Sequence, residues 1–139
     1  MITIHQGIDL VDVSKLERIM TRHRGLLDEI FTDEERAYCL AQKHPFRHFA
    51  GRFAAKEACL KALGLGLSAG IDATLRDVAV KTHRSGRPEV APRGWVAAMG
   101  RRKRIRQWGL SISHTEQFAV ATVTLVADES AESERTESR

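Results

Sequence analysis

Glu57 stands where a charged side chain needs a reason. On a helix turning about 100° per residue, Phe46, Phe49, Ala50, Phe53 and Leu60 fall within an apolar stripe about 100° wide. Glu57 lies about 40° from Phe53, inside that stripe. An ionised carboxylate facing an apolar layer costs several kcal/mol unless it is paired or bound to a cation. The pattern leaves both answers open: an ion pair with Lys56 or, at (i, i+4), with Lys61, or a metal ion. Asp9 poses the same question. It follows Gly7-Ile8 at the end of an apolar strand, where a glycine permits close backbone approach. As a turn or cap aspartate it would need no ligand. Two carboxylates with phosphate oxygens and water make an octahedral Mg²⁺ site, because this ion takes oxygen ligands and keeps several waters. Spacing alone does not bring Asp9 and Glu57 together.

Other reactive side chains are fewer. His114, in SISHTEQF, falls at a strand end where the chain reverses, as a hydrogen-bonded turn residue or a site group. Cys59 lacks a visible partner, and the chain contains no GxSxG or P-loop pattern. No strong protein nucleophile is in view. A nucleophile would have to arrive with the substrate.

The elements that must position these residues follow from periodicity and caps. Ile2 to Val11 alternates as a strand, with Ile2, Ile4, Ile8 and Leu10 on one face. SKLE predicts a capping box of Ser14 with Glu17, opening a helix with Leu16, Ile19 and Met20 on its apolar face. Lys15, Arg18 and Arg22 fall on the neighbouring face. A second box, Thr32 with Glu35, opens a helix through Leu40. The longest helix is expected after Pro45, from Phe46 to Leu63, stopped by Gly64 and Gly66. DVAVKTH and RPEV around a Ser-Gly turn read as a hairpin, and a helix is expected from Gly94 to Lys103. Leu110 to Ser113 and Phe118 to Ala127 read as two strands. Helices mixed with antiparallel strands predict a single α+β domain, a small sheet packed with one long helix and shorter ones.

Composition sets the class. The chain is 42% hydrophobic and 29% charged, with a formal net charge of +4, ordinary for a soluble domain of 139 residues. No apolar run spans a bilayer, and the N-terminus lacks the pattern of a signal peptide. Cys39 and Cys59 show no CxxC or zinc spacing, so the expectation is a reduced, cytoplasmic protein with two buried thiols. From Asp128 the chain reads DESAESERTESR, an expected disordered acidic tail over 128–139 behind a domain of 1–127. Without it, 20 basic side chains face 13 acidic ones, a balance suited to an anionic partner or substrate.

Three segments together resemble the holo-acyl-carrier-protein synthases, the small class of 4′-phosphopantetheinyl transferases. They are GIDLVDVSKLERI (7–19), FAGRFAAKEACLKALG (49–64) and LSISHTEQFAVA (110–121), in the family's order and separation. The likeness covers about residues 2–126. His5-Gln6 stands where the family more usually has a glycine-rich pair, and the basic RRKRIR and acidic tail are additions.

The resemblance implies that Asp9 and Glu57 bind Mg²⁺. It also implies that Lys61 and Arg52 lie near the coenzyme A phosphates, with Ser113 and His114 shaping the same pocket. Lys43, His44, Arg47 and His48 are candidates for the 3′-phosphate or adenine end. A carrier-protein serine would attack the β-phosphate of coenzyme A, with Lys61 stabilising the leaving 3′,5′-ADP and either water or Glu57 taking the proton. Holo carrier protein for fatty acid biosynthesis would result. Lys15, Arg18, Arg22 and Arg24 around an exposed Met20 would steer the acidic carrier. A homotrimer with sites between subunits is implied as well. The rival reading is a nucleic-acid-binding module on Arg101, Arg102, Lys103, Arg104 and Arg106, but only Trp108 accompanies that run and no RRM, KH or zinc-finger signature does. The broader-specificity transferases of the superfamily resemble two fused copies, which the chain length disfavours.

Overall fold

The computed structural model describes residues 1–65 and 75–130. Strand β1 (Ile2–Asp12) leads into helices α1 (Val13–Arg22), α2 (Gly25–Ile30), α3 (Asp33–Leu40) and the long α4 (Pro45–Ala62). A hairpin of β2 (Val78–Thr82) and β3 (Pro88–Pro92) precedes α5 (Gly94–Arg102), β4 (Ile105–His114) and β5 (Phe118–Asp128). The sheet order is β1-β5-β4, antiparallel throughout, with β2 and β3 forming a separate two-stranded sheet. The expected α+β class is what the chain adopts.

Local chemistry explains most boundaries. The Thr32–Glu35 capping box forms as expected, with the Glu35 amide donating to Thr32 Oγ1 at 3.2 Å and the Thr32 amide to Glu35 Oε1 at 2.7 Å. The Ser14–Glu17 box does not. β1 runs straight into α1, so Val13 is already helical and Asp12 caps the helix by accepting from the Lys15 amide at 3.0 Å. α4 starts one residue earlier than expected because Pro45 fits the first helical position. It stops in a Schellman motif: Gly64 at φ +79° lets the Leu65 amide reach Leu60 O at 2.8 Å and the Gly64 amide reach Lys61 O at 3.0 Å. Gly66, the second expected stop, lies outside the described residues.

α4 is a central helix, buried on most sides. Phe49, Ala50, Ala54, Ala55, Ala58 and Cys59 are fully buried, and the Phe49 ring meets Phe31 edge-on at 5.0 Å. The line Phe53, Glu57, Lys61 is its less covered strip, half-buried to exposed. Glu57 is therefore not sealed among phenylalanines as the stripe suggested. It lies where the helix opens beside β1. The charge that does sit wholly inside is Lys56, at 0% exposure.

α4 crosses β1 at Gly7. A β-carbon there would fall on the Ala58 carbonyl oxygen and within 2.8 Å of the Ala62 nitrogen, both backbone atoms that cannot swing aside. Residues of β1 alternate, so Gly7, Asp9 and Val11 face α4 while Ile2, Ile4, Ile8 and Leu10 line the outer face, as expected. β4 begins five residues earlier than the pattern indicated, because a bulge between Ile105 and Gln107 accommodates Arg106 and keeps the pairing with β5. β5 runs through Asp128, and residues 131–139 of the expected tail lie outside the described ones. Gly7→Ala is expected to destabilise the fold by about 3 kcal/mol or more, measured as a lowered denaturation midpoint.

Candidate active site

β1 and α4 bring the two acids into one field. Asp9 faces α4, and Lys61 Nζ donates to Asp9 Oδ1 at 3.0 Å and to the Ile8 carbonyl at 3.0 Å. The i,i+4 partner of Glu57 is thus engaged across the interface with Asp9. Among the described residues none donates a hydrogen bond to the Glu57 carboxylate. Burial, and next the negative charge of Asp9, push the Glu57 carboxyl above its ordinary range, with Lys61 partly offsetting them. Two carboxylates that repel each other beside a single ammonium form a cation-seeking pair. Among the described residues there is no group of three or more His, Cys, Asp or Glu that could enclose a metal. This donor set fits a hard ion completed by water and substrate oxygens, as Mg²⁺ is, and not a closed zinc cage.

A second cluster lies toward the start of α4, nine residues or about 13 Å along the axis from Glu57. The His48 ring meets His114 at 5.0 Å and Tyr38 at 5.8 Å. Both imidazoles are pushed below their ordinary value. For His48 the causes are burial, His114 and the guanidinium groups of Arg52 and Arg47; for His114 they are burial, then Arg47 and Arg52. His48 Nδ1 is buried with no hydrogen-bond partner among the described residues. Arg52 itself is only 5% exposed, donates to Thr82 Oγ1 at 2.8 Å and stacks over the Tyr38 ring at 4.4 Å. It builds the wall of this cluster, with little of its own surface open and its charge felt by both imidazoles. Ser113 and His114 also part company: as neighbours on a strand they point to opposite faces. His114 turns toward α4, while Ser113, opposite Val120, lies on the outer face with Ile8 and Leu10.

The basic edge on α1 survives with one correction. Lys15, Arg18, Arg22 and Arg24 are exposed, but Met20 is 2% exposed because it shares the inward face with Leu16. The exposed apolar residue among these cations is Ile19, at 40%. The run 101–106 divides between the last turn of α5, where cations suit the helix dipole, and the bulged start of β4. Its Arg102, Lys103 and Arg104 line a cleft of about 690 Å³ with His5 and Lys61. Among the described residues no helix is long and apolar enough to cross a membrane.

Known proteins share this fold and much of this sequence. The ACPS family, described as the 4′-phosphopantetheinyl transferase superfamily, matches residues 6–123. The holo-[acyl-carrier-protein] synthase of Moorella thermoacetica is 38% identical over 118 residues, which are 85% of this chain and 90% of that protein. The structure of the Chronobacterium ammoniagenes ACPS–CoA complex superposes with a TM-score of 0.79 at 25% identity, covering 91% of this chain and 99% of that one. A holo-(acyl-carrier-protein) synthase from Bacillus anthracis in complex with CoA (3′,5′-ADP) gives 0.72 at 28% identity, with coverage of 92% and 100%. With its helix-borne and strand-borne acids on a shared fold, the chain belongs to the 4′-phosphopantetheinyl transferase superfamily and, within it, to the holo-[acyl-carrier-protein] synthases.

Proposed function

We propose that this chain transfers the 4′-phosphopantetheine arm of coenzyme A to a serine of apo acyl carrier protein, with Asp9 and Glu57 holding a Mg²⁺ ion. The observation that carries this reading is the juxtaposition of those two acids across β1 and α4, with Lys61 held between them and Glu57 raised first by burial and then by its neighbour's charge. Bound there, Mg²⁺ supplies neutralisation of pyrophosphate oxygens. The serine oxygen forms a bond to the β-phosphorus as the bond from that phosphorus to the bridging oxygen breaks. Adenosine 3′,5′-bisphosphate departs. Lys61, tethered by Asp9 and Ile8 O, sets a positive charge at the acids and stabilises the leaving phosphate. The serine proton passes to Glu57 or to a water beside it. His48 and His114, with Lys43, His44 and Arg47 at the approach to α4, form the basic end for the adenosine 3′-phosphate, while Arg52 braces Tyr38 beneath it.

The carrier docks on α1. Lys15, Arg18, Arg22 and Arg24 steer an acidic partner, and Ile19 takes the apolar place first given to Met20. The outer face of the sheet leaves Ile2, Ile4, Ile8 and Leu10 59–65% exposed, a patch that suits other copies of the chain in a homotrimer. Ser113 lies on that same face, which supports a site completed between subunits. The buried free thiols suit a reducing cytoplasm, and the product serves fatty acid synthesis.

Incubation with apo carrier protein, coenzyme A and Mg²⁺ is expected to add one phosphopantetheine arm by intact mass. Asp9→Asn and Glu57→Gln are each expected to lower kcat by at least about a hundredfold; full activity in either would remove the metal-site reading. Glu57→Gln should also raise the Tm of the metal-free protein at neutral pH. The folded carboxyl binds its proton more tightly than the unfolded one, so stability falls as pH rises through the ordinary value of 4.5, and glutamine escapes that loss. The gain should vanish well below that pH in EDTA-treated samples. Replacing Ile8 and Leu10 by aspartate should convert a trimer to monomers in sedimentation velocity, while an unchanged sedimentation coefficient would exclude this face as the interface.

A further inference from the structure

Lys56 and Glu57 are neighbours on α4, so their side chains leave the helix about 100° apart. Glu57 turns to the strip beside β1, and Lys56 turns into the core. There its ammonium donates to Glu35 Oε1 and Oε2, both at 2.9 Å, to Leu75 O at 3.0 Å and to Val78 O at 2.8 Å. Glu35 in turn accepts the Thr32 amide at 2.7 Å and the Val80 amide at 2.7 Å. The acceptor set is drawn from the cap of α3, from β2 and from the turn just before it. On the sides of α4 turned away from Lys56 the buried residues are Ala54, Ala55 and Ala58, while Phe49, Cys59 and Leu60 share its own side. The alanines interdigitate shallowly and resist rotation about the helix axis weakly.

We infer that the Lys56–Glu35 pair fixes the rotation of α4 and so holds Glu57 opposite Asp9, making Lys56 and Glu35 positioning residues for the divalent-cation site. The inference rests on the metal-site reading above. The leverage is geometric. With side-chain ends about 5–6 Å from the axis, a rotation of about 10° moves the Glu57 carboxylate by about 1 Å. A displacement of that size at a reacting centre costs on the order of a hundredfold in rate.

The test is the double variant Lys56→Met with Glu35→Gln, which removes both charges together and keeps a side-chain oxygen for the Thr32 cap. Folding is checked by circular dichroism, and assays run well below the variant's Tm. Mn²⁺ serves as the probe, titrated by calorimetry without coenzyme A or carrier. The expected result is an Mn²⁺ Kd raised about 10- to 100-fold, a lower kcat, and an unchanged KM for carrier protein. A folded variant with a lower Tm but wild-type Mn²⁺ affinity and kcat would overturn the inference. Asp9→Asn is the control for the reading beneath it: if wild-type Mn²⁺ binding survives that change, the site reading fails, and this inference with it. Where the double variant does not fold, Glu35→Gln alone is read by the same two measurements and the same criteria.

Discussion

The ammonium of Lys56 is the group on which the rest of the molecule is arranged. Taking an ammonium and a carboxylate out of water costs several kcal/mol each, and their mutual attraction repays this only when their remaining donors and acceptors are used. Here they are. Four oxygens receive the ammonium, and the two oxygens of Glu35 also receive the Thr32 and Val80 amides. Losing one partner of such a pair typically costs about 3–5 kcal/mol, because the other charge is left buried alone. α3, α4 and β2 can therefore assemble in one relation only. The Thr32–Glu35 capping box is part of the same network, so the start of α3 and the middle of α4 are set by one carboxylate.

The opposite side of α4 is governed by distance and not by charge. Gly7 lets the helix backbone approach β1 more closely than any side chain would permit. Asp9, two residues on and facing the same way, is thereby brought within reach of Lys61 and into the field of Glu57. An apolar helix packed by larger side chains would ride higher on the sheet and part the acids. The helix thus has a polar anchor inside, a glycine contact beneath and a half-open edge where Glu57 meets Asp9.

Much of this was legible in the residues. Caps and periodicity located α3, α4 and the hairpin, because Thr32–Glu35, Pro45 and Gly64 act within a few residues of themselves. Asp9 and Glu57 were recognisable as acids in odd places, although the reason given for Glu57 was mistaken. A helical wheel assumes one covered face, and α4 is covered on most of them, so the angle that looked most buried is the one that opens. The same assumption missed Lys56, whose partners lie about twenty residues away in either direction, while Met20 keeps the apolar face that periodicity gives it and not the exposed place among the α1 cations. The surroundings of Arg52 and Ser113 were not legible, because they depend on Thr82, Tyr38 and strand parity, all long-range facts. α2 is six residues without a side-chain cap, too short to leave a pattern.

The burial of Cys39 and Cys59 bears on the handling of the cargo. Both are fully enclosed, and burial is the main cause holding their thiols up at about 12. Disulfide exchange proceeds through a thiolate with access to its target, and neither condition is met at neutral pH. The pantetheine arm ends in a thiol of its own. An enzyme that grips it at every turnover offers it no sulfur to couple with, so oxidised coenzyme or carrier can pass through without becoming covalently trapped.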